Sequence, residues 1–260
     1  MINDRYFEND LYWKEHINRQ LTIDMWIDEY RGYFDNKGIC LELGCGIGQY
    51  SKRLIEYGYK VISTDISDIA LNEVKKFNKN VEKVDMSIPF KYENDSFDLV
   101  FSSLAIHYFS KEKTAQLINE IHRVLKDGGL FIGSVNGLEG YNSIKDTAIK
   151  LEENFYFNKG KYIHLFNDKE LRKYFKDYQI LKIEKREKSE ISGIKDVEYF
   201  NENEILAVST MGNILIKGEH LHIDCLNTET QVMNVSGTVC AVIYSENRND
   251  KKSILDRIFR

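Results

Sequence analysis

Apolar and polar residues follow two alternating patterns along the first two thirds of the chain. Short apolar runs of strand length are separated by stretches with the period of an amphipathic helix. Strands connected by helices in this way form a parallel sheet with helices on both faces. We therefore expect an α/β fold with a doubly wound, mostly parallel sheet, whose ligand lies at the carboxyl ends of the strands. The predicted strands are 39–43, 60–65, 81–84, 97–102 and 129–135, and the predicted helices are 49–57, 67–78 and 111–126.

Two flanking segments extend this pattern. Apolar residues recur at near four-residue spacing over residues 13–33, which predicts an amphipathic helix before the first strand. A helix at 167–176 and a strand at 178–186 would complete a sixth unit of the sheet. Residues 136–160, between the fifth strand and the helix at 167–176, are rich in Gly, Asn and Tyr. They predict a helix at 142–150.

The pattern changes near residue 187. From there the apolar residues alternate with polar ones in a succession of short strands, which is typical of an antiparallel sheet. We therefore expect two domains, 1–186 and 187–260, the second being a small antiparallel β domain. A seventh strand for the first sheet is not evident: either residues 189–194 supply it, or the second domain covers the sheet edge. The predicted tail strands are 204–209, 213–217, 220–224, 231–235 and 238–244, with turns at Gly212, Gly218, Asn227 and Gly237.

The most informative segment follows the first strand. Gly44, Gly46 and Gly48 occupy alternate positions between that strand and a helix, as in a nucleotide-binding turn. A dinucleotide fingerprint needs its third glycine one residue later, so this spacing disfavours a pyrophosphate. Glu42 would repel phosphates, but it suits a ligand that carries an amino group or a sulfonium. Asp65 ends the second strand, where its carboxylate can accept hydrogen bonds from ribose hydroxyls.

Three later segments complete an ordered set of motifs. Asp85 and Met86 follow the third strand, residues 96–103 form the fourth strand and include Ser102, and residues 123–129 precede the fifth. With the glycine turn, this order resembles class I S-adenosylmethionine-dependent methyltransferases. The resemblance implies a Rossmann-like fold, S-adenosylmethionine as cofactor and S-adenosylhomocysteine as product. It also implies a cofactor-binding role for Glu42, Gly44, Cys45, Gly46, Gly48, Asp65, Ile66, Asp85, Met86 and Ser102.

The same resemblance implies how the rest of the site is built. N-terminal helices often form a lid over the cofactor in this family, so Tyr6, Tyr12 and Trp13 are candidates to cover it, with ordinary helix packing as the alternative. The insert after the fifth strand usually shapes the acceptor pocket. On that ground we expect the acceptor to meet Asn136, Tyr141, Tyr156, Tyr162 and His164.

His107 is the candidate catalytic residue. It follows the fourth strand, and an unperturbed imidazole pKa near 6.5 suits a general base. The alternative is a histidine packed in the loop behind the cofactor. Residues 102–105, Ser-Ser-Leu-Ala, match neither an amino-methylating motif nor a cysteine-nucleophile motif, so the acceptor cannot be read from the sequence. We expect a small molecule.

Composition narrows the function further. The net charge is −5 and no cluster of five basic residues occurs, so we expect no nucleic-acid partner. No run of 18 apolar residues and no signal-peptide pattern occur, which predicts a cytoplasmic protein without membrane insertion. The four cysteines lack zinc-site spacing, and His220 and His222 have no third ligand, so no metal site is expected. Cys45 is either a reactive thiol or, as we favour, a small residue in a tight turn.

The tail has a resemblance of its own. Residues 191–200, 211–223, 235–239 and 255–260 resemble the small YabP-type sporulation proteins of endospore-forming bacteria. Those proteins are not known as enzymes, so the resemblance implies an assembly module that binds a second copy or a sporulation protein. Two functions remain open: an active methyltransferase with this module attached, or a non-catalytic sporulation protein whose first half only binds a ligand or partner.

Overall fold

The computed structural model describes residues 9–16, 26–34, 38–184, 188–210 and 212–245. These residues form two compact units, the first ending at Ile183 and the second running from Glu184. Among the described residues, no helix is long and apolar enough to cross a membrane.

A five-stranded parallel sheet forms the centre of the first unit. Its strand order is β3-β2-β1-β4-β5, so the chain moves outward to one edge and then returns to build the other half. This is the doubly wound, Rossmann-like fold that the sequence predicts. The strands are β1 (Ile39–Leu43), β2 (Lys60–Asp65), β3 (Val81–Lys83), β4 (Phe97–Ser103) and β5 (Leu125–Ser134).

Helices cover both faces of this sheet, which explains why its central strands are continuous apolar runs. Leu41 and Leu43 of β1 pack on one face in a core that includes Ile121, whereas Cys40 packs on the other face in a core with Leu54. The helices are α1 (Asn9–His16), α2 (Gln49–Glu56), α3 (Asp68–Val74), α4 (Lys111–Val124), α5 (Tyr141–Ile144) and α6 (Asp168–Tyr174).

Side-chain caps fix where two of these helices begin. Ser67 accepts a hydrogen bond from the backbone N–H of Ala70 at 3.2 Å at the start of α3. Asn167 accepts one from the N–H of Glu170 at 2.8 Å at the start of α6. Each satisfies an amide that would otherwise lack a partner in the first turn.

The segment after β5 differs from the helix predicted at 142–150. A 3₁₀ turn (Leu138–Gly140) and the four-residue α5 are helical, and a three-stranded antiparallel sheet follows: β6 (Ile149–Glu152), β7 (Phe155–Asn158) and β8 (Lys161–His164). Lys159 and Gly160 join β7 to β8 with φ values of 47° and 81°. Two successive positive φ values are those of a type I′ turn, which suits a two-residue hairpin.

The predicted strand at 178–186 is wrong for its described part. Residues 179–184 form no strand, and residues 185–187 lie outside the described residues. The Tyr178 side chain instead packs beside α4 and donates its hydroxyl hydrogen to the Ile118 carbonyl at 3.2 Å. Leu181 is 56% exposed, so the apolar pattern here reflects packing of one aromatic residue and not a buried strand.

The N-terminal helix predicted over 13–33 is also divided. Residues 9–16 form α1, Trp26–Tyr33 form a 3₁₀ helix, and residues 17–25 lie outside the described residues. Trp26 and Ile27 pack into the core beneath β1 and β4. Of the described N-terminal elements, α1 remains the candidate lid.

The second unit is a five-stranded antiparallel sheet, as its alternating sequence predicts. Its order is β10-β11-β12-β13-β9, and the apolar face is built from residues such as Ile205, Ile216 and Val235. The strands are β9 (Lys188–Ser192), β10 (Ile194–Phe200), β11 (Glu204–Ser209), β12 (Gly212–Asn227) and β13 (Val232–Ser245).

Gly218 and Gly237 do not form the turns predicted for them. Each lies inside a long strand, and the register between β12 and β13 shifts near Gly218 and on to His222. At Gly237 φ is 114°, and a β-carbon would lie 2.4 Å from the carbonyl oxygen of His220. The glycine therefore permits a close approach of two backbones at a bulge, which is a second common use of glycine in strands.

One of the two alternatives for the missing seventh strand of the parallel sheet is excluded. Strand β9 pairs with β13 of the second sheet, so it does not extend the parallel sheet. The prediction that residues 189–194 supply the missing strand is therefore wrong.

Candidate functional site

The glycine turn follows β1 at the carboxyl edge of the parallel sheet. Gly44, Gly46 and Gly48 all have positive φ, at 69°, 53° and 82°. The Cys45 amide donates to the Thr64 carbonyl at 2.8 Å, which ties the turn to the end of β2. The alternate glycines are therefore required by the backbone path itself.

Each glycine also faces a close neighbour. A β-carbon on Gly44 would lie 2.4 Å from Cβ of Ala105, and one on Gly48 would lie 2.6 Å from Cζ of Phe77. At Gly46 the neighbour is the indole of Trp13, at 2.7 Å from the same construction. Gly44 and Gly48 thus pack against Ala105 and Phe77, whereas Gly46 faces the Trp13 side chain of α1.

Asp65 ends β2 directly beside this turn. Its Oδ2 accepts the Gly46 amide hydrogen at 2.9 Å, and its Oδ1 accepts that of Ser67 at 2.9 Å. Burial raises the pKa of Asp65, while these two backbone N–H groups oppose that rise. A carboxylate has about four acceptor positions. The carboxylate therefore retains acceptor capacity for a further donor beside its backbone partners.

Glu42 lies beneath the turn and is only 1% exposed. Its Oε2 accepts the hydroxyl hydrogen of Ser51, whose oxygen in turn accepts from Ser63 at 2.9 Å. Asn78 donates to Ser63 at 3.0 Å and closes this buried chain of polar groups. Burial raises the pKa of Glu42 to about 8, so the group is largely protonated at neutral pH.

The remaining predicted cofactor residues divide into two groups. Ile66 is 39% exposed, Met86 lies near Gly44, and Asp85 accepts the Ser87 amide hydrogen at 2.8 Å in the loop after β3. These three lie at the carboxyl edge. Ser102 is fully buried and donates to the Leu43 carbonyl at 3.2 Å, so its hydroxyl joins β4 to β1.

Cys45 is 8% exposed, and its thiol lies 3.5 Å from the Gly46 carbonyl oxygen. Burial raises the pKa of this thiol well above its ordinary value, and the charges of Glu42 and Asp65 add to the rise. A thiol that stays protonated is a poor nucleophile. The structure therefore favours the small-residue interpretation of Cys45.

Helix α1 lies over the turn. The Trp13 ring rests against Gly46, and Asp10 accepts a hydrogen bond from the Ser67 hydroxyl at 2.5 Å. Tyr12 and Trp13 are in edge contact, with ring centroids 5.1 Å apart. Tyr6, the third predicted lid residue, lies outside the described residues.

His107 lies in a 3₁₀ helix, Ile106–Tyr108, that follows β4. Its ring is 4% exposed, and among the described residues its Nδ1 has no hydrogen-bond partner. Burial, with smaller effects from His164 and Lys161, lowers the pKa of His107 to about 3. The imidazole is therefore neutral at physiological pH and is a weak base.

His164 does not face an acceptor as expected, because its ring is fully buried. Its Nε2 lies 2.9 Å from Glu170 Oε1, and its Nδ1 lies 3.1 Å from the carbonyl oxygen of Phe109. The ring thus anchors the end of the His107 segment to α6. Of the other predicted acceptor residues, Tyr156 is 9% exposed and Tyr141 is 42% exposed.

Two further residues near the candidate site belong to none of the sequence motifs. Leu104, directly after β4, has φ of 51° and is 49% exposed, which is unusual for a bulky residue. Such strain concentrates at functional sites. Lys161 begins β8, and its Nζ lies 4.4 Å from the centroid of the Tyr12 ring. Gly160, the second residue of the turn, is a partial signal for this hairpin, because Lys159 before it is not a residue typical of such turns.

Two family models match separate parts of the chain. Residues 41–133 match the family model of a methyltransferase domain, and residues 176–251 match that of the YabP family.

Curated proteins align with the first part of the chain. Phosphoethanolamine N-methyltransferase 1 of Triticum aestivum is 29% identical over 140 residues, 45% of this chain and 28% of that protein. An uncharacterized methyltransferase-like protein of Schizosaccharomyces pombe is 33% identical over 112 residues, 42% of each chain. The alignments thus span less than half the length of these curated relatives.

Solved structures share the fold. The PH0226 protein of Pyrococcus horikoshii superposes with a TM-score of 0.56 at 22% identity, over 70% of this chain and 92% of that one. A methyltransferase of Methanosarcina mazei gives 0.53 at 16% identity, over 83% and 99%.

Proposed function

We propose that this chain, which belongs to the S-adenosylmethionine-dependent methyltransferases and carries a YabP domain, transfers a methyl group to a small-molecule acceptor. One observation carries the proposal. The left-handed glycine turn and the Asp65 carboxylate meet at the ends of neighbouring strands, joined by the hydrogen bond from the Gly46 amide. This is the crevice where doubly wound sheets bind their ligands.

The residues here fit S-adenosylmethionine. Asp65 would accept hydrogen bonds from the ribose hydroxyls through the acceptor positions that its two backbone bonds leave open. Gly46 would allow close approach beneath Trp13, and Met86 and Ile66 offer exposed or half-buried apolar surface near the turn. Glu42 and Ser102 support the site from within, because both are buried in hydrogen bonds to the protein.

When bound, this cofactor supplies a methyl group on a positively charged sulfur. The protein then has to hold the acceptor in line with that methyl group and exclude water, because positioning accounts for most of the rate in such a displacement. Trp13 on α1 is placed to cover the turn. Asp65 and the glycines fix the opposite side.

His107 has a positioning role in this proposal. With a pKa of about 3, its imidazole is neutral at pH 7 and does not hold the second ring proton of an imidazolium ion. Its unpartnered Nδ1 would instead accept a hydrogen bond from an N–H or O–H of the acceptor. Such a bond orients the nucleophile, while the proton that it finally loses passes to solvent.

Binding to the full chain tests the cofactor site. Isothermal titration with S-adenosylmethionine and S-adenosylhomocysteine should give heat, and Asp65→Asn should raise both Kd values at least tenfold, since a hydrogen bond to a charged group contributes about 1.5–3 kcal/mol. Asp68→Asn is the control and should bind like wild type, because the Asp68 side chain is exposed at the start of α3. Absence of binding to folded wild-type protein would overturn the proposal.

We propose an assembly role for the YabP domain, and with it a link to spore formation that rests on the family alone. Strand β10 is an edge strand, and Tyr199 and Phe200 on it are 52% and 59% exposed. Exposed edge strands with large apolar side chains are templates for pairing with another chain.

Sedimentation of the full chain tests this role. Wild type should show concentration-dependent self-association that Tyr199→Lys with Phe200→Lys abolishes, because charges on an edge oppose pairing. Lys195→Glu on the same strand keeps a charge at an exposed position and serves as control. A wild-type monomer at every concentration would contradict self-assembly and leave a different protein as the partner to be sought.

A further inference from the structure

Lys161 brings a cation to the lid side of the candidate site. It lies directly after the type I′ turn of the β7–β8 hairpin, and it is only partly exposed. Its Nζ lies 4.4 Å from the centre of the Tyr12 ring on α1. Burial lowers the pKa of Lys161, so the protein holds this ammonium group partly out of water at a cost in free energy.

The charge of Lys161 also acts on His107, whose Nδ1 is unused. Strand β8 packs against the 3₁₀ helix that contains His107, and the charge of Lys161 contributes to the low pKa of that imidazole. His107 Nδ1 is buried and has no partner among the described residues. A buried polar atom without a partner is costly, and it points to a group that is absent from the protein alone.

Both residues lie near the cofactor crevice. Tyr12 is in edge contact with Trp13, whose ring rests on Gly46. Tyr108, the neighbour of His107, has its pKa raised to about 12 by burial, with contributions from the charges of Tyr12 and Asp65. Tyr12 thus contacts both Trp13, which covers the glycine turn, and the Lys161 ammonium group.

We infer that Lys161 binds an anionic group, a carboxylate or a phosphate, on the methyl acceptor, while His107 Nδ1 accepts a hydrogen bond from the nucleophile. This assignment rests on the proposed methyl transfer and specifies its substrate class. Tyr12 beneath the ammonium group restricts its movement, and the short hairpin turn fixes its origin on β8. An acceptor anion beside this partly buried ammonium group would form a charge-assisted hydrogen bond, which is stronger than a neutral one.

Simple anions test the site without turnover. Inorganic phosphate and acetate are titrated separately into the full chain saturated with S-adenosylhomocysteine, which fills the glycine turn. We expect one of the two to bind, and its Kd to rise about tenfold in Lys161→Met, as for the loss of one charge-assisted hydrogen bond. Lys161→Arg should retain binding. Preference for phosphate or acetate distinguishes the two kinds of acceptor.

Lys150→Met is the matched control, since Lys150 is exposed on β6 of the same small sheet. Equal anion affinity in wild type and Lys161→Met, or an equal loss in Lys150→Met, would overturn the inference. If S-adenosylhomocysteine itself fails to bind, the proposed function fails, and the same anion titration of the unliganded chain still compares the two lysine variants.

Turnover gives a second, independent measurement. The full chain is incubated with radiolabelled S-adenosylmethionine and a deproteinised extract of small molecules. The labelled product should be retained by an anion-exchange column, and Lys161→Met should raise KM about tenfold with a smaller change in kcat. A labelled product that carries no anionic group would overturn the assignment of Lys161 but not the methyl transfer.

Discussion

Glu42→Gln should stabilise the protein at neutral pH and remove part of its pH dependence. Glu42 is buried, and its Oε2 accepts from Ser51. Glutamine has nearly the same shape, keeps an oxygen for that hydroxyl hydrogen, and places N–H groups where a protonated carboxyl has its O–H. The substitution therefore imitates the protonated folded state without a group that ionises on unfolding.

The magnitude follows from the two pKa values of Glu42, 4.5 ordinarily and about 8 in the folded chain. Between these values the unfolded chain has lost the proton that the folded chain retains, so the wild-type free energy of unfolding falls as pH rises, by about 1.4 kcal/mol per pH unit. This stability is fully present below pH 4.5 and is lost by about pH 8. At pH 7 the cost to wild type is about 3 kcal/mol.

Urea unfolding at pH 5, 6, 7 and 8 measures the effect, and the difference between Glu42→Gln and wild type isolates it. The low pKa values of His107 and His164 also change stability with pH, but they do so equally in both proteins. Glu56→Gln, with its carboxylate exposed on α2, is the control. A constant difference between Glu42→Gln and wild type from pH 5 to 8 would refute the raised pKa.

Two further predictions concern the backbone at the carboxyl edge. At Leu104, with φ of 51°, glycine should be more stable than alanine by about 1 kcal/mol, because only alanine retains the left-handed strain; equal urea midpoints would contradict this. Gly44→Ala should cost about 2–4 kcal/mol from positive φ and from contact with Ala105. Adding Ala105→Gly should recover only the contact part, and a thermodynamic cycle in urea that shows no coupling would disprove the contact.

The parallel sheet could be predicted from sequence because its central strands β1, β2 and β4 are largely buried. Cys40 and Leu41 of β1 enter opposite cores, so the strand is a continuous apolar run that stands out from the helices beside it. The glycine turn was equally visible, because no other residue adopts its three positive φ values cheaply. Local requirements and the global fold agree there.

The small sheet after β5 could not be found in the same way. Its outer strand β6 has only four residues, Ile-Lys-Leu-Glu, and all four are exposed, so its short apolar alternation does not mark a buried face. Lys159 adopts a positive φ in the hairpin turn, where asparagine or glycine would have been a recognisable signal. Lys161 was missed with it, because its position depends on that turn.

The predicted cofactor residues include buried and accessible side chains, and motif spacing in the sequence does not distinguish the two. Glu42 and Ser102 match the motif positions as well as Asp65 does, yet they form hydrogen bonds within the protein. Asp65 differs because its backbone partners leave acceptor capacity at the carboxyl edge. Motif membership therefore identifies the crevice, while the hydrogen-bond partners decide which side chain faces into it.

The electrostatics of the site favour positioning over acid–base chemistry. The buried titratable groups Glu42 and His107 both have pKa values shifted toward the neutral form, to about 8 and about 3. Burial also raises the pKa of Asp65 and lowers that of Lys161, but backbone N–H groups donate to the Asp65 carboxylate and oppose its shift, and the Lys161 ammonium group lies over the Tyr12 ring. An acid that holds the cofactor and a cation that holds the acceptor would fix the two reactants from opposite ends, and a neutral histidine between them would orient the nucleophile without competing for its proton.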